Sequence, residues 1–433
     1  MLKPAASAAT VAGLLACALA CAGPAAMPAQ YFDYGRFGKV SIYREGAPGE
    51  GAAGEGAAGD AVPRDVVLFL SGDDGWNLDV INLAQRLTAS GALVAGIDSR
   101  HYLAQLATSR EMCVSPAADL ENLSRYLQAK LAFKQYIEPT LVGYASGATL
   151  VHAALEQAPD GQFKGALSID VRPELDLKKP LCKGTRTKFS ANWIALQGEI
   201  DQAQYAAAYA RITASPALTA AARLPASVAD LPLTVVPAEP GGSSPWFGIF
   251  LSGDGGWVGL DRGVSHQLAK HHIPIVGWDS LKYFWKPRTP QGAAQDLDRV
   301  VRHYSREWGR SHVLLIGYSQ GADTMPFMVN RLPAQTHDMV GLTTLLGISD
   351  NALFEFHLEN WLGTPSGGMA TAPELQHWSG APYLCLYGEK DREAACAQLT
   401  GKQGVAVKMP GGHHFGGRYA EIAAQILRRL PNL

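Results

Sequence analysis

Four short blocks of this chain occur twice in the same order, and this duplication limits the folds open to it more than any other feature. Leu70-Ser-Gly-Asp-Asp-Gly-Trp76 returns as Leu251-Ser-Gly-Asp-Gly-Gly-Trp257, an offset of 251 − 70 = 181. Gly96-Ile-Asp-Ser99 returns as Gly277-Trp-Asp-Ser280, with 279 − 98 = 181 between the aspartates. Gly143-Tyr-Ala-Ser-Gly-Ala148 returns as Gly317-Tyr-Ser-Gln-Gly-Ala322, with 317 − 143 = 174. Gln197-Gly-Glu-Ile-Asp201 returns as Tyr387-Gly-Glu-Lys-Asp391, with 391 − 201 = 190. Ordered blocks at large, drifting offsets indicate a duplicated domain and not a short solenoid repeat.

Within each half, apolar runs of strand length alternate with stretches of helical character. Val66–Leu70 and Val313–Ile316 read as buried strands. Ala118–Phe133 and Ala293–Trp308 read as helices. That alternation predicts a mostly parallel sheet covered by helices, once per half. The expected fold class is therefore α/β: two tandem domains over residues 30–225 and 228–433, each a mostly parallel sheet flanked by helices. Phe32–Tyr43 would open the first domain as early strands, and a Gly/Ala/Glu-rich insertion, Gly46–Ala61, follows it. The Pro/Ala/Ser-rich stretch before Trp246 joins the halves, and Val228–Pro237 would begin the second.

Residues 1–22 read as a targeting segment. Lys3 precedes an apolar run, Val11–Ala22, that is too short to span a bilayer. Cys17 and Cys21 sit in imperfect lipoprotein-type cleavage boxes, so lipid anchoring is one outcome of processing. Cys113, Cys182, Cys385 and Cys396 remain, an even number in an exported chain. Grouping by domain pairs Cys113 with Cys182 and Cys385 with Cys396, with buried free thiols as the alternative. A net charge of −2 gives no electrostatic basis for nucleic-acid binding.

Gly317-Tyr318-Ser319-Gln320-Gly321 is a G-x-S-x-G pattern between an apolar strand and a helix start. In that setting the serine occupies a sharp turn with its hydroxyl exposed, and the glycines let helix and strand approach. Ser319 would be the nucleophile, needing an adjacent base. Asp391, in the turn after Tyr383–Tyr387, would be the acid, with Glu389 as a second candidate. His414, on the loop Pro410–Gly417 before the helical stretch Tyr419–Leu430, is preferred as the base over His413, because it directly precedes an aromatic residue. The oxyanion hole would combine the backbone N–H of Gln320 with that of Asp254. The first half has Ala145 where the second has Ser319, Ser146 is displaced by one position, and no histidine occurs between His152 and His266. The first half is therefore expected to be inactive.

The paired Leu-Ser-Gly-Asp-Gly-Gly-Trp and Gly-Tyr-Ser-Gln-Gly-Ala-Asp motifs, the Leu-Tyr-Gly-Glu-Lys-Asp turn near Cys385 and Cys396, and Gly-Gly-His-His-Phe together resemble the VirJ/AcvB family of exported α/β-hydrolase-fold proteins of Gram-negative bacteria. The second half covers the VirJ-like unit, and the whole chain resembles the longer AcvB type. The resemblance implies periplasmic hydrolysis of lysyl- or alanyl-phosphatidylglycerol, a phospholipid partner met at the membrane, a link to type IV secretion, and no metal or cofactor. An ester of that kind suits a Ser-His-Asp site. Its cationic amino group would be met by acids near the nucleophile, for which Asp323 and Asp254 are candidates. Tyr318 and Trp257 are further candidates for substrate contact. Tyr283–Lys286 and Phe354–Trp361 are aromatic-rich stretches that would either meet lipid or pack in the core. The rival readings are a serine esterase or peptidase with a soluble substrate, and a non-catalytic adaptor of a secretion apparatus.

Overall fold

The computed structural model describes residues 30–44, 63–159, 161–172, 175, 177–182, 192–198, 200–214, 224–356, 367–378, 380–396 and 403–430. The targeting segment with Cys17 and Cys21, the insertion Gly46–Ala61 and the end of the second aromatic stretch lie outside them.

Two seven-stranded sheets carry the fold. The first contains β1 (Gln30–Tyr34), β2 (Gly38–Tyr43), β3 (Asp65–Leu70), β4 (Ala92–Ile97), β5 (Thr140–Tyr144), β6 (Gly165–Ile169) and β7 (Asn192–Leu196), in the order β1-β2-β4-β3-β5-β6-β7. The second contains β8 (Leu233–Val236), β9 (Trp246–Leu251), β10 (Ile275–Trp278), β11 (His312–Tyr318) and β12 (Val340–Leu346). After a two-stranded ribbon, β13 (Asn351–Ala352) with β14 (Met369–Ala370), it is completed by β15 (Tyr383–Gly388) and β16 (Gly404–Met409). Its order is β16-β15-β12-β11-β9-β10-β8. From β4 to β7 and from β10 to β16 every pairing is parallel, and β1, β2 and β8 join antiparallel at the edges. Superposed by order, β2-β4-β3-β5-β6-β7 matches β8-β10-β9-β11-β12-β15. The first sheet adds β1 at one edge and the second adds β16 at the other. The predicted class therefore holds: two tandem α/β-hydrolase-like domains.

Parallel central strands are covered on both faces, so they must be apolar throughout. β3 and β9 accordingly bury every residue. Helices fill the crossovers. Pro290–Trp308 begins with the Thr289 hydroxyl accepting from Gly292 N–H and Pro290 in the first turn, and it ends at Gly309 with φ +62°. Its apolar stripe, including Leu297, Val300, Val301 and Tyr304, packs into the core of the second domain.

The repeated sequence blocks become repeated packing. Trp76 lies over Gly96 and Trp257 over Gly277, where an added Cβ would come within 2.1 and 2.3 Å of the respective indole. Each Trp-containing turn therefore requires its distant glycine. Ser71 and Ser252 accept from the backbone N–H of Ser99 and Ser280, at 3.0 and 2.9 Å. The Gly-x-Asp-Ser blocks thus hold the Ser-Gly-Asp turns in both halves. Both cysteine pairings expected from the domain grouping are present as disulfides, Cys113–Cys182 and Cys385–Cys396.

The two domains are in contact. Lys282 pairs with Glu138 at 2.7 Å, and the Trp285 indole donates to the Phe133 carbonyl at 2.7 Å while its ring lies 5.2 Å from that of Tyr136. Tyr283, Phe284 and Phe354 are buried together, and Trp285 stacks on Phe356. The described aromatics of the two candidate lipid-facing stretches are thus used in the core and at the domain junction. Among the described residues, no helix is long and apolar enough to cross a membrane.

Candidate active site

β11 runs directly into the helix Gln320–Val329, and the residue at the corner is Ser319, at φ +51° and ψ −121°. A non-glycine residue rarely holds a positive φ, and here the surroundings enforce it. A Cβ on Gly317 would meet the Gly321 carbonyl oxygen at 2.4 Å, and one on Gly321 would meet the Leu251 carbonyl oxygen at 2.2 Å. Both glycines of the pattern are needed because backbone passes where side chains would stand. Ser319 N–H donates to the Leu346 carbonyl at 2.9 Å, which fixes the corner to the end of β12.

The next residue, Gly347 at φ +64°, is a site feature the sequence reading missed. A Cβ on it would lie 2.9 Å from Cε1 and 3.1 Å from Nδ1 of His413, and 3.6 Å from a carboxylate oxygen of Asp391. The imidazole occupies the space that Gly347 leaves open. His413 Nδ1 and Asp391 Oδ2 are 2.8 Å apart. The Asp391 side chain is only 4% exposed, whereas that of His413 is 33% exposed. Asp391 Oδ1 also accepts the backbone N–H of Glu393 at 3.2 Å, which fixes the carboxylate from a second direction. With Nδ1–H given to Asp391, the lone pair of His413 Nε2 remains for the reaction.

The ring that meets Asp391 is therefore that of His413 and not, as expected from the sequence, that of His414. The place directly before Phe415 points to His414. Its Nδ1 instead faces the Tyr318 hydroxyl at 2.6 Å. Phe415 is fully buried and turns the chain, so the residue two before it, not the one directly before it, reaches the carboxylate. Burial, with His413 as a smaller contribution, pushes the His414 imidazole below its ordinary value. Burial, reinforced by Asp261, Asp254 and Asp391, pushes the Tyr318 phenol upward. A neutral phenol donating to a neutral imidazole follows from both shifts.

Gln320 and the turn that contains Asp254 both adjoin the Ser319 corner. Gln320 is the first residue of the helix after Ser319, so its N–H belongs to the unpaired first turn of that helix. Asp254 lies in the turn Gly253–Gly256, closed by Gly256 N–H to Gly253 O at 3.0 Å. A Cβ on Gly253 would approach the Ser319 Cβ to 3.4 Å, so the turn lies against the nucleophile. Asp261 is buried in the first turn of the helix Gly259–Ala269 that follows. Burial raises that carboxyl well above its ordinary range, against the backbone N–H groups of Val258, Asp261 and Gly253, which favour its charged form.

Three candidate substrate contacts are otherwise engaged. Trp257 is packed edge-on against Phe250 over Gly277. Tyr318 is buried and bonded to His414. Asp323 accepts the Ser349 backbone N–H at 2.7 Å, and burial raises its carboxyl to about 8, so near neutrality it is an uncharged brace for the turn after β12 and not a cation site. Asp254, half-buried in its turn, is the acid left beside the nucleophile. Among the described residues no three His, Cys, Asp or Glu side chains gather as metal ligands would.

A parallel sheet with a strained serine at the strand-to-helix corner, and an Asp–His pair at the ends of the neighbouring strands, defines the class of α/β-hydrolase-fold proteins. The family model described as "Bacterial virulence protein (VirJ)" matches residues 64–213 and 246–432, and the chain belongs to that family. No curated protein matches the chain. Among solved structures it is similar to Est1E from Butyrivibrio proteoclasticus (14% identity, 45% of this chain and 91% of that one, TM-score 0.36). It is also similar to an alpha-beta serine hydrolase homologue from Coxiella burnetii (16% identity, 46% and 90%, TM-score 0.31) and to MenH from S. aureus (14% identity, 46% and 97%, TM-score 0.35).

Proposed function

We propose that the chain is a serine ester hydrolase whose single working site is Ser319–His413–Asp391, and that it cleaves the aminoacyl ester of an aminoacyl-phosphatidylglycerol. The observation that carries the hydrolase reading is the 2.8 Å Asp391–His413 pair seated over Gly347, one residue from the carbonyl that holds the strained Ser319. In this reading Ser319 Oγ attacks the acyl carbon, its proton passes to His413 Nε2, and Asp391 steadies the resulting imidazolium. The N–H groups of Gln320 and Asp254 receive the oxyanion. Collapse breaks the bond to the glycerol oxygen, which takes the proton from His413. Water, deprotonated by the same histidine, then releases the amino acid and restores Ser319.

The substrate class rests on the resemblance of the motifs to the VirJ/AcvB family, together with one physical feature. The ester carries a cationic amino group, and Asp254 stands beside the nucleophile. The two disulfides fit an oxidising compartment, and the periplasm would give the enzyme access to its lipid. The test is amino-acid release from lysyl- and alanyl-phosphatidylglycerol vesicles, beside a small soluble ester. Ser319→Ala should lower both rates by on the order of 10⁴–10⁶, since only oxyanion and binding effects survive. A Ser319-dependent enzyme that ignores the aminoacyl lipids would keep the mechanism and lose the substrate. A rate indifferent to Ser319 removes both.

A further inference from the structure

The oxyanion turn of the second domain is covered on its outer side by the first. The helix Pro116–Lys130 of the first domain carries Glu121 and Arg125 one turn apart, and they form an ion pair. The Arg125 side chain is only 2% exposed, and its Nη2 lies 3.8 Å from where a Cβ on Gly255 would stand. Gly255 is the residue after Asp254. Gln162 Nε2 donates to Glu121 at 2.8 Å, fixing the carboxylate from the other side. Next to it, a Cβ on Gly161 would meet Arg262 at 3.1 Å and the Trp257 carbonyl oxygen at 3.4 Å. Glu121, Gln162 and Gly161 share one small cavity with Gly255, Gly256 and Trp257.

We infer that the Glu121–Arg125 pair of the non-catalytic domain is a positioning device for the reaction at Ser319: it holds the turn that presents the Asp254 N–H. The inference rests on the hydrolase reading above. The electrostatics give it a mechanism. Asp254 and Glu121 are close enough for their charges to interact: burial raises the Glu121 carboxyl, Arg125 opposes that rise, and Asp254 adds to it. Arg125 thus offsets the buried Glu121 charge against a turn whose backbone must stay within about 0.5 Å of its working position. Removing Arg125 leaves the buried Glu121 carboxylate without the guanidinium that opposes its rise, whereas removing both takes that buried charge away as well. A helix of the first domain that only filled space would show no such sign dependence. This gives the domain that lacks a nucleophile a part in the chemistry of its twin.

The test is steady-state hydrolysis of a soluble ester by the full chain carrying Arg125→Met, Glu121→Gln, or both, with melting temperatures recorded for each. Displacing one oxyanion donor should cost about tenfold or more in kcat, up to the roughly 10²–10³ for losing such a donor outright, with KM changed less than about twofold. Both single variants should show this, and the double variant should recover most of the loss. Glu121→Gln is nearly isosteric, so it carries the test if Arg125→Met folds poorly. Single variants at wild-type kcat would overturn the inference, as would a double variant slower than either single one. Either result leaves the hydrolase reading intact if turnover still depends on Ser319. Wild-type turnover independent of Ser319 would overturn both.

Discussion

The first domain builds the same corner as the second and then blocks it. Ala145 stands at φ +49° and ψ −115°, almost the geometry of Ser319, so the strained elbow is intact without its nucleophile. Ser146 follows in the first turn of the helix, with its hydroxyl buried and lacking a hydrogen-bond partner among the described residues. Ala145 N–H donates to the Ile169 carbonyl as Ser319 N–H donates to that of Leu346, so Asp170 occupies the place of Gly347. Asp170 keeps a positive φ of +51°, and its carboxylate accepts the Gly198 N–H at 2.9 Å. A side chain there fills the space that the histidine needs in the other half. Asp201, the counterpart of Asp391, is a helix cap: it accepts the Gln204 N–H at 2.7 Å in a reciprocal capping box. Among the described residues the first sheet also ends at β7, without a counterpart of the strand that delivers the His413 loop. The elbow can thus survive as architecture. The catalytic site also needs empty space over the next strand and a further strand to fill it with imidazole.

The sharpest way to break this comparison is at the histidines. His413→Ala should cost on the order of 10⁴–10⁶ in rate, because base and nucleophile act as a unit, while His414→Ala should stay within about tenfold. Single-turnover rates for the two variants decide it, and the reverse ranking would restore the choice made from sequence. Gly347→Ala imports part of the first domain's obstruction. Its Cβ would press on His413 at a φ of +64°, so a loss of about 10–100-fold in kcat is expected. Asp170→Gly should leave the rate unchanged. Equal effects of the two would deny that Gly347 makes room for the base.

The smallest effect is a pH dependence of stability. The folded state raises the Asp323 carboxyl from its ordinary value to about 8. Between about pH 4 and 8 the unfolded chain has released this proton and the native state retains it. Stability is therefore fully present at the acid end and declines as pH rises through 8. Asp323→Asn keeps an acceptor for Ser349 and cannot titrate, so its melting temperature should fall less than wild type across that window. Parallel profiles would place the charge of Asp323 elsewhere.

Much of this was legible in the sequence. The duplication, the parallel sheets and the elbow follow from blocks whose chemistry is local, apolar runs and paired glycines, and both disulfides follow from grouping the cysteines by domain. Which histidine meets Asp391 did not follow, because His413 and His414 are neighbours on one loop, and the turn at buried Phe415 decides which ring faces the carboxylate. Gly347 was also missed. A single glycine after an apolar strand carries no signal until the imidazole above it is seen. Trp257 and Asp323 misled for a related reason. An aromatic or acidic residue near a motif suggests a ligand contact, yet Trp257 is packed over Gly277 and Asp323 braces the backbone at Ser349. The contact between the Glu121–Arg125 pair and the Asp254 turn joins residues from different halves, which no local pattern could reveal.

The central claim is that only one of the two elbows works. The direct measurement is mass spectrometry of the whole chain after reaction with a fluorophosphonate, followed by peptide mapping. The account predicts one adduct per chain, on Ser319, with none on Ser146, and its loss in His413→Ala. An adduct on Ser146, or labelling of Ser319 at an undiminished rate in His413→Ala, would contradict it.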